Sequence, residues 1–194
     1  MNNAGKTQRL TPLQIRRLTY SALYLAIAMV LPFVTGQVPE IGSMLLPMHI
    51  PVLLCGMLCG WKYGLAVGFI APLLRSATFG MPPMIPTAFA MTFELTVYGG
   101  MSGWLRQILP GKAGFIYIAL LVSMIAGRIA WGIVRLFLAG LAVSEFSWKL
   151  FLTGAISEAI PGIVLQLAII PVLVIAMEKA GLSLNRREKQ YDGK

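Results

Sequence analysis

The sequence predicts an all-α integral membrane protein with six transmembrane helices. Of its 194 residues, 57% are hydrophobic and only 12% are charged, whereas a soluble domain needs roughly a quarter of its residues charged to cover its surface. The mean hydropathy of +0.77 supports the same conclusion. Apolar runs recur along the chain, each close to the ~20 residues that cross a bilayer as a helix. These observations exclude a soluble fold.

Six apolar runs in the sequence predict the six helices. The first follows a polar segment that lacks a cleavable signal pattern, so we expect it to be a retained span. The second is the weakest, because Pro47 and Pro51 lie at its start, and five spans plus a re-entrant segment are the alternative. The predicted spans are residues 18–34, 44–60, 63–79, 87–109, 115–140 and 153–177.

The basic residues predict that both termini are cytoplasmic. Lys and Arg accumulate in cytoplasmic segments, and six spans leave both chain ends on one side of the membrane. This topology puts twelve of the 16 basic residues on the cytoplasmic side. The twelve are Lys6, Arg9, Arg16, Arg17, Lys62, Arg106, Lys112, Lys179, Arg186, Arg187, Lys189 and Lys194. Five spans would put the basic carboxyl-terminal residues on the opposite side from the amino terminus, so six spans are preferred.

The chain is predicted to be a single membrane domain, residues 1–194. Residues 1–15 form a cytoplasmic amino-terminal segment, residues 16–178 the six-helix bundle, and residues 179–194 a basic cytoplasmic tail. The sequence has no room for a soluble domain, no glycine-rich nucleotide-binding loop and no internal duplication. If the protein transports a substrate actively, another polypeptide must supply the energy.

The net charge of +9 does not indicate a nucleic-acid partner, because the basic residues follow membrane topology rather than one folded face. Cys55 and Cys59 lie four residues apart within an apolar run and are expected to be buried hydrophobic residues. His49 has no second metal-binding side chain near it in the sequence, which argues against a metal site. We therefore expect no metal, cofactor or catalytic residue.

Ionisable residues inside the spans mark the candidate site, because each costs a few kcal/mol or more unless it is paired or faces a cavity. They converge on the outer half of helices three to six. The set is Arg75, Glu94, Arg128, Arg135 and Glu158. Three arginines against two glutamates leave a surplus positive charge, which favours a substrate with a carboxylate or phosphate. The alternatives are snorkelling to the head groups and purely structural ion pairs.

Neutral polar and aromatic residues lie at compatible positions. Tyr98 follows Glu94 by about one turn, and Trp131 lies between the two arginines of helix five. His49 begins helix two, and Gln166 accompanies the glutamate of helix six. Such a mixture could orient a small amphipathic molecule, although aromatic residues at helical spacing are also typical of packing. The candidate substrate-binding set is Glu94, Arg128, Arg135, Glu158, Arg75, His49, Trp131 and Tyr98.

Small residues at spacing four predict close helix packing. Glycine recurs at every fourth position from 56 to 68, which would let helices two and three approach tightly. Ala22 and Ala26 form a similar groove on helix one. That groove could pack inside the bundle or dock a helix of another subunit.

Five segments carry a family resemblance. They are ALYLA at 22–26, LPMHIPVLL at 46–54, GWKYG at 60–64, GFIAPLLR at 68–75 and GMPP at 80–83. Together with the six spans, they resemble the substrate-binding S components of energy-coupling factor (ECF) vitamin transporters. The likeness covers about residues 16–178, and it is greatest to the group of riboflavin, folate and pantothenate components.

The resemblance implies a bundle that binds a vitamin near the external surface, under the loops after helices one and three. It implies that Ala22 and Ala26 contact a membrane-embedded coupling (T) subunit driven by two cytoplasmic ATPases, and that the bundle topples in the membrane to deliver its ligand. The surplus arginine favours a carboxylated vitamin such as pantothenate, folate or nicotinate, with pantothenate preferred. Pyridoxine or a cobalamin precursor stays open.

Two other function classes are less favoured. An integral membrane enzyme could use Glu94, Arg128 and Glu158 on a lipid or phosphate substrate, but the sequence shows no recognisable nucleophile and base pair and no acidic metal cluster. A stand-alone channel would need polar residues that continue toward the cytoplasm. The preferred hypothesis is a multi-pass cell-membrane binding subunit that is not an enzyme.

Overall fold

A computed structural model describes residues 10–34, 47–140 and 160–185. Within these ranges the chain forms six helices joined by turns, without a strand. The helices are α1 Pro12–Val34, α2 His49–Cys59, α3 Trp61–Phe79, α4 Phe89–Ile108, α5 Gly114–Gly140 and α6 Ile160–Lys179. A short irregular turn, Met84–Ala88, in which Ile85 is extended, leads into α4. For this part of the chain, the predicted all-α fold with six helices is confirmed.

α1 begins six residues earlier than predicted because a capping box precedes it. The Thr11 backbone N–H donates to Gln14 Oε1 at 2.9 Å, and the Gln14 N–H donates to Thr11 Oγ1 at 3.3 Å. Pro12 occupies the first helical position, where a missing N–H leaves no hydrogen bond unmade. The end of the predicted amino-terminal segment is therefore helical.

α2 is shorter than its predicted span and lies at the centre of the bundle. Its 11 residues are all buried, and they extend about 16 Å, roughly half the thickness of a bilayer core. Pro51 lies in its first turn, where the absent N–H has no helical acceptor. Residues 44–46 of the predicted span lie outside the described residues. α2 packs against α1, α3, α4 and α6 and is a core helix rather than a lipid-facing one.

Glycines bring α2, α3 and α4 into backbone contact. A Cβ atom added to Gly64 would lie under 3.0 Å from the Gly99 carbonyl oxygen, and one added to Gly99 would clash with the Gly64 carbonyl. Gly56 faces the same Gly99 carbonyl, and Gly68 faces the carbonyl of Leu95. Any larger side chain would push these helices apart. The predicted close approach of helices two and three is confirmed, and α4 joins it through Gly99.

Two helices, α5 and α6, are long and apolar enough to cross a membrane by length and composition alone. Ionisable residues within α1, α3 and α4 lower their hydropathy, and α2 is short. The described surface is nevertheless strongly apolar, as Ile125, Ile129 and Ile133 show by being 61%, 58% and 62% exposed along α5. Apolar side chains outside and charged ones inside are the arrangement expected of a bundle surrounded by lipid.

Residues 181–185, which we call the strap, fold back from α6 over one end of the bundle. The backbone N–H groups of Leu184 and Asn185 both donate to the Leu58 carbonyl oxygen at 2.8 Å. Asn185 Nδ2 donates to the carbonyls of Met57 at 3.1 Å and Gly103 at 3.2 Å. The last carbonyls of a helix have no partner inside it, so the strap satisfies those of α2. The strap therefore belongs to the bundle, although the sequence assigns it to a tail.

Two buried arginines reinforce the end of the bundle that carries the strap. Arg17 of α1 donates from Nη2 to the Leu184 carbonyl oxygen at 2.7 Å. Arg106 of α4 pairs with Glu178 of α6, with Nη2 and Oε1 2.7 Å apart. Both arginines belong to the predicted cytoplasmic set, and the structure brings them to one end. Their hydrogen bonds therefore stabilise the fold at that end.

We expect Asn185→Leu to lower the free energy of unfolding by about 1–3 kcal/mol, because it leaves the buried carbonyl oxygen of Met57 without its donor and removes a second hydrogen bond to Gly103. The measurement is the thermal unfolding midpoint of the purified protein in detergent. Lys179→Gln, at an exposed position that ends α6, is the control and should leave the midpoint unchanged. An unchanged midpoint for Asn185→Leu would mean that the strap adds no stability.

Candidate ligand-binding site

Three helices meet at Glu94, a carboxylate that is only 2% exposed. Its Oε1 lies 3.6 Å from His49 Nε2 on α2 and 3.3 Å from Arg128 Nε on α5. His49 is fully buried and Arg128 is largely buried. A carboxylate removed from water needs such partners. The structure thus brings together three residues that the sequence predicted separately.

Tyr98, one turn after Glu94 on α4, completes what we call the Glu94 cluster: His49, Glu94, Tyr98 and Arg128. Its ring lies 5.3 Å from the His49 ring in an edge-to-face arrangement. The ring also rests on α5 at Gly127, where an added Cβ atom would strike the aromatic carbons. Sequence reasoning missed Gly127, whose only signal is a glycine immediately before an intramembrane arginine.

The Glu94 cluster contains more polar atoms than it pairs. Besides the atoms that form the ion pairs of Glu94, three more are buried without a hydrogen bond to the described residues: His49 Nδ1, the Tyr98 hydroxyl and Arg128 Nη2. Leaving a buried polar group unpaired costs roughly 2–7 kcal/mol, and nearly all such groups in native proteins are satisfied. The cluster can therefore donate hydrogen bonds to a polar ligand and accept them from it.

Trp131 and Arg135 extend the Glu94 cluster along α5. The guanidinium carbons of Arg128 and Arg135 lie 5.8 Å and 5.7 Å from the centre of the Trp131 ring, within the about 6 Å reach of a cation–π contact. Glu94 offsets the charge of Arg128, whereas no carboxylate among the described residues forms an ion pair with Arg135. The surplus positive charge at the site stays a prediction.

Of the predicted residues that the structure describes, Arg75 lies apart from this arrangement. Arg75 is buried, donates from Nη1 to the Met29 carbonyl oxygen of α1, and has its guanidinium 4.9 Å and 5.4 Å from the rings of Phe33 and Phe79. These contacts hold α3 against α1, and a role for Arg75 in ligand binding stays a prediction. Glu158 lies outside the described residues.

The Glu94 cluster lies in the half of the bundle away from the strap. Glu94 precedes Arg106 on α4 by twelve residues, which is about 18 Å of helix. The residues that seal one end of the bundle and the residues with unpaired polar atoms are thus well separated. A ligand at the cluster would not disturb the strap.

Ala22 and Ala26 lie on the outer face of α1. Both are exposed, as is their neighbour Leu23, whereas Tyr24 and Ala28 on the opposite face are buried. The groove of small residues is therefore not used for packing within the described bundle. Of the two predicted uses of this groove, the contact with another subunit is the one that the exposure favours.

A comparison with known protein families identifies the family of this chain. The family model for the substrate-specific component of ECF transporters matches residues 16–174. The chain belongs to this family. A search of curated proteins and a search of solved structures each found no match. The predicted membership is confirmed, and the match does not distinguish one vitamin subgroup from another.

An ECF substrate-specific component is a membrane protein that binds a small-molecule substrate and associates with T and ATPase subunits. The family consists of transporter binding subunits and is not a family of enzymes. The alternative of a membrane enzyme for lipid or phosphate therefore has no support. In this ECF component, the Glu94 cluster with Trp131 and Arg135 is the candidate binding site.

We expect Glu94→Leu to lower the free energy of unfolding by about 3–5 kcal/mol, because Arg128 would remain buried without its carboxylate. Combining Glu94→Leu with Arg128→Met should recover most of the loss, since both charges leave together. The thermal unfolding midpoint of the ligand-free protein measures both effects. Additive losses in the double variant would contradict the ion pair.

Proposed function

We propose that this ECF component captures a carboxylated water-soluble vitamin, or a related small molecule, in a cavity that opens to the outside. Pantothenate is the preferred ligand, and folate and nicotinate follow. The Glu94 cluster carries the proposal, because it is a buried and incompletely paired polar group in a chain whose family binds small molecules. A ligand would supply the missing hydrogen-bond partners.

The predicted residues take different roles in this proposal. Arg135 binds the carboxylate, because no carboxylate in the described part of the chain pairs with it and guanidinium matches carboxylate in shape. Trp131 offers a ring face to the ligand, and the Glu94 cluster binds its neutral polar groups. Glu158, which lies outside the described residues, is expected to contribute to the cavity. Arg75 supports the site by holding α1 against α3.

We also propose a multi-pass topology with both termini in the cytoplasm. The strap end of the bundle carries Arg17 and Arg106, and the turns at Lys62 and Lys112 lie at the same end. Basic residues concentrate on the cytoplasmic side of membrane proteins. With the strap end inside, the Glu94 cluster lies in the outer half, where a vitamin would arrive.

The groove at Ala22 and Ala26 is the proposed docking surface for the T subunit. Small side chains let a partner helix approach closely within a membrane, and both alanines are exposed. The neighbouring apolar side chains of α1, such as Leu18 and Val30, are 56% and 60% exposed and would widen the contact. Two cytoplasmic ATPases would then drive delivery through the T subunit.

Purified alone in detergent, the protein should bind one member of a panel of pantothenate, folate, nicotinate, riboflavin and pyridoxine at one ligand per chain and without turnover. Isothermal titration calorimetry measures the binding. Arg135→Gln should weaken the binding of a carboxylated ligand at least about tenfold, or 1.4 kcal/mol. Arg16→Gln, at an exposed position on α1, is the control. Failure to bind any of the five would contradict the proposal, and binding of a neutral vitamin alone would contradict its carboxylate part.

Replacing Ala22 or Ala26 with Trp should abolish vitamin uptake by cells that produce the T and ATPase subunits, because the indole ring fills the docking groove. Vitamin binding by the purified variant should be unchanged. Ile129→Trp, at a position on α5 that is 58% exposed, is the matched control and should keep both activities. If the alanine variants lose binding as well as uptake, the groove serves the bundle rather than a partner.

A further inference from the structure

Gln166 on α6 is a buried amide that neither the fold nor the proposed function uses. It is 0% exposed, and both Oε1 and Nε2 lack a hydrogen-bond partner within the described residues. Leu or Met would fill the same space without leaving two polar atoms unpaired. The polarity of this position is therefore unfavourable for folding and calls for another explanation.

The register of the helices puts Gln166 at the level of Glu94. The ion pair between Arg106 and Glu178 aligns α4 with α6 near their carboxyl ends. Glu94 precedes Arg106 by twelve residues, and Gln166 precedes Glu178 by twelve residues. Each side chain is therefore about 18 Å along its helix from the same ion pair.

His49 on α2 also lies at the level of Glu94 on α4. Asn185 bonds the carbonyls of Met57 on α2 and Gly103 on α4, which sets these two positions level with each other. His49 precedes Met57 by eight residues. Glu94 precedes Gly103 by nine residues. Thus α2, α4 and α6 each contribute a buried polar side chain to one layer of the bundle.

The helices that pack against α6 show which way Gln166 faces. α6 packs against α2 and α5, the two helices that carry His49 and Arg128. A fully buried side chain at this level of α6 faces the interior of the bundle, where those two residues also lie. Gln166 therefore shares the layer of the Glu94 cluster.

We propose that Gln166 recognises an amide or lactam group of the substrate, by donating a hydrogen bond to its carbonyl oxygen, accepting one from its N–H, or both. A carboxamide holds one acceptor and one donor group in a single plane, so it can form two hydrogen bonds with a lactam edge, as in the pairing of Gln with adenine, and one with a trans amide. The inference rests on the proposed function and narrows it. The substrate is an acid that also carries an amide or lactam.

The test applies two measurements to the purified full-length protein and its Gln166→Met and Gln166→Leu variants. Calorimetry follows the binding of pantothenate and folate, which contain an amide or lactam, and of nicotinate, which has a carboxylate and no amide. The variants should bind the amide-containing ligand at least about tenfold more weakly. Their ligand-free unfolding midpoints should equal or exceed that of the wild type, because an unpaired buried amide has been removed. Val164→Met, at a position on α6 that is 61% exposed, is the control.

Several outcomes would overturn the inference. A lower ligand-free midpoint in both variants would show that Gln166 is paired in the fold, and unchanged affinity would show that it does not meet the ligand. Binding of nicotinate alone would also overturn the inference, while it would leave the proposed carboxylated vitamin intact. Binding of none of the three ligands would overturn both.

Discussion

The fold depends on the contact between the backbones of α3 and α4 at Gly64 and Gly99. Each glycine packs on the carbonyl of the other, and α2 joins the contact through Gly56. Lipid removes the hydrophobic drive for helices to associate, so close packing and weak Cα–H···O contacts must replace it. The resulting unit of three helices sets the distance between His49 on α2 and Glu94 on α4. The polar cluster is therefore built on three helices whose backbones are in contact.

A short central helix creates a second constraint. The carboxyl end of α2 lies inside the bundle, where water cannot satisfy its carbonyl groups. The strap meets this need from the far end of the chain, 128 residues after Met57. The short α2 and the position of the strap therefore depend on each other. A longer second helix would displace the strap, and a chain without the strap would leave the Leu58 carbonyl unpaired.

Composition and hydropathy suffice to predict the all-α fold and the order of its helices, because both depend on local runs of sequence. The cost of charge in lipid points to Glu94 and Arg128, which must each find a partner. The partner of Arg75 was not predictable, because it depends on how α1 leans against α3. The strap was missed since its hydrogen bonds are made to distant backbone groups, which leave no pattern of side chains. The early start of α1 is visible in the capping residue Thr11, although it precedes the apolar run.

The strap also connects α1 to α6 mechanically. Arg17 fastens α1 to the strap, and the strap continues directly from α6, so the first and last helices share one anchoring point. A force applied to the outer face of α1 is therefore carried into α6 through the strap, at the end of the bundle away from the Glu94 cluster. Shear between these two helices would break buried hydrogen bonds, whereas tilting the whole bundle breaks none of them. Any reorientation in the membrane is accordingly easiest as the rotation of a rigid body.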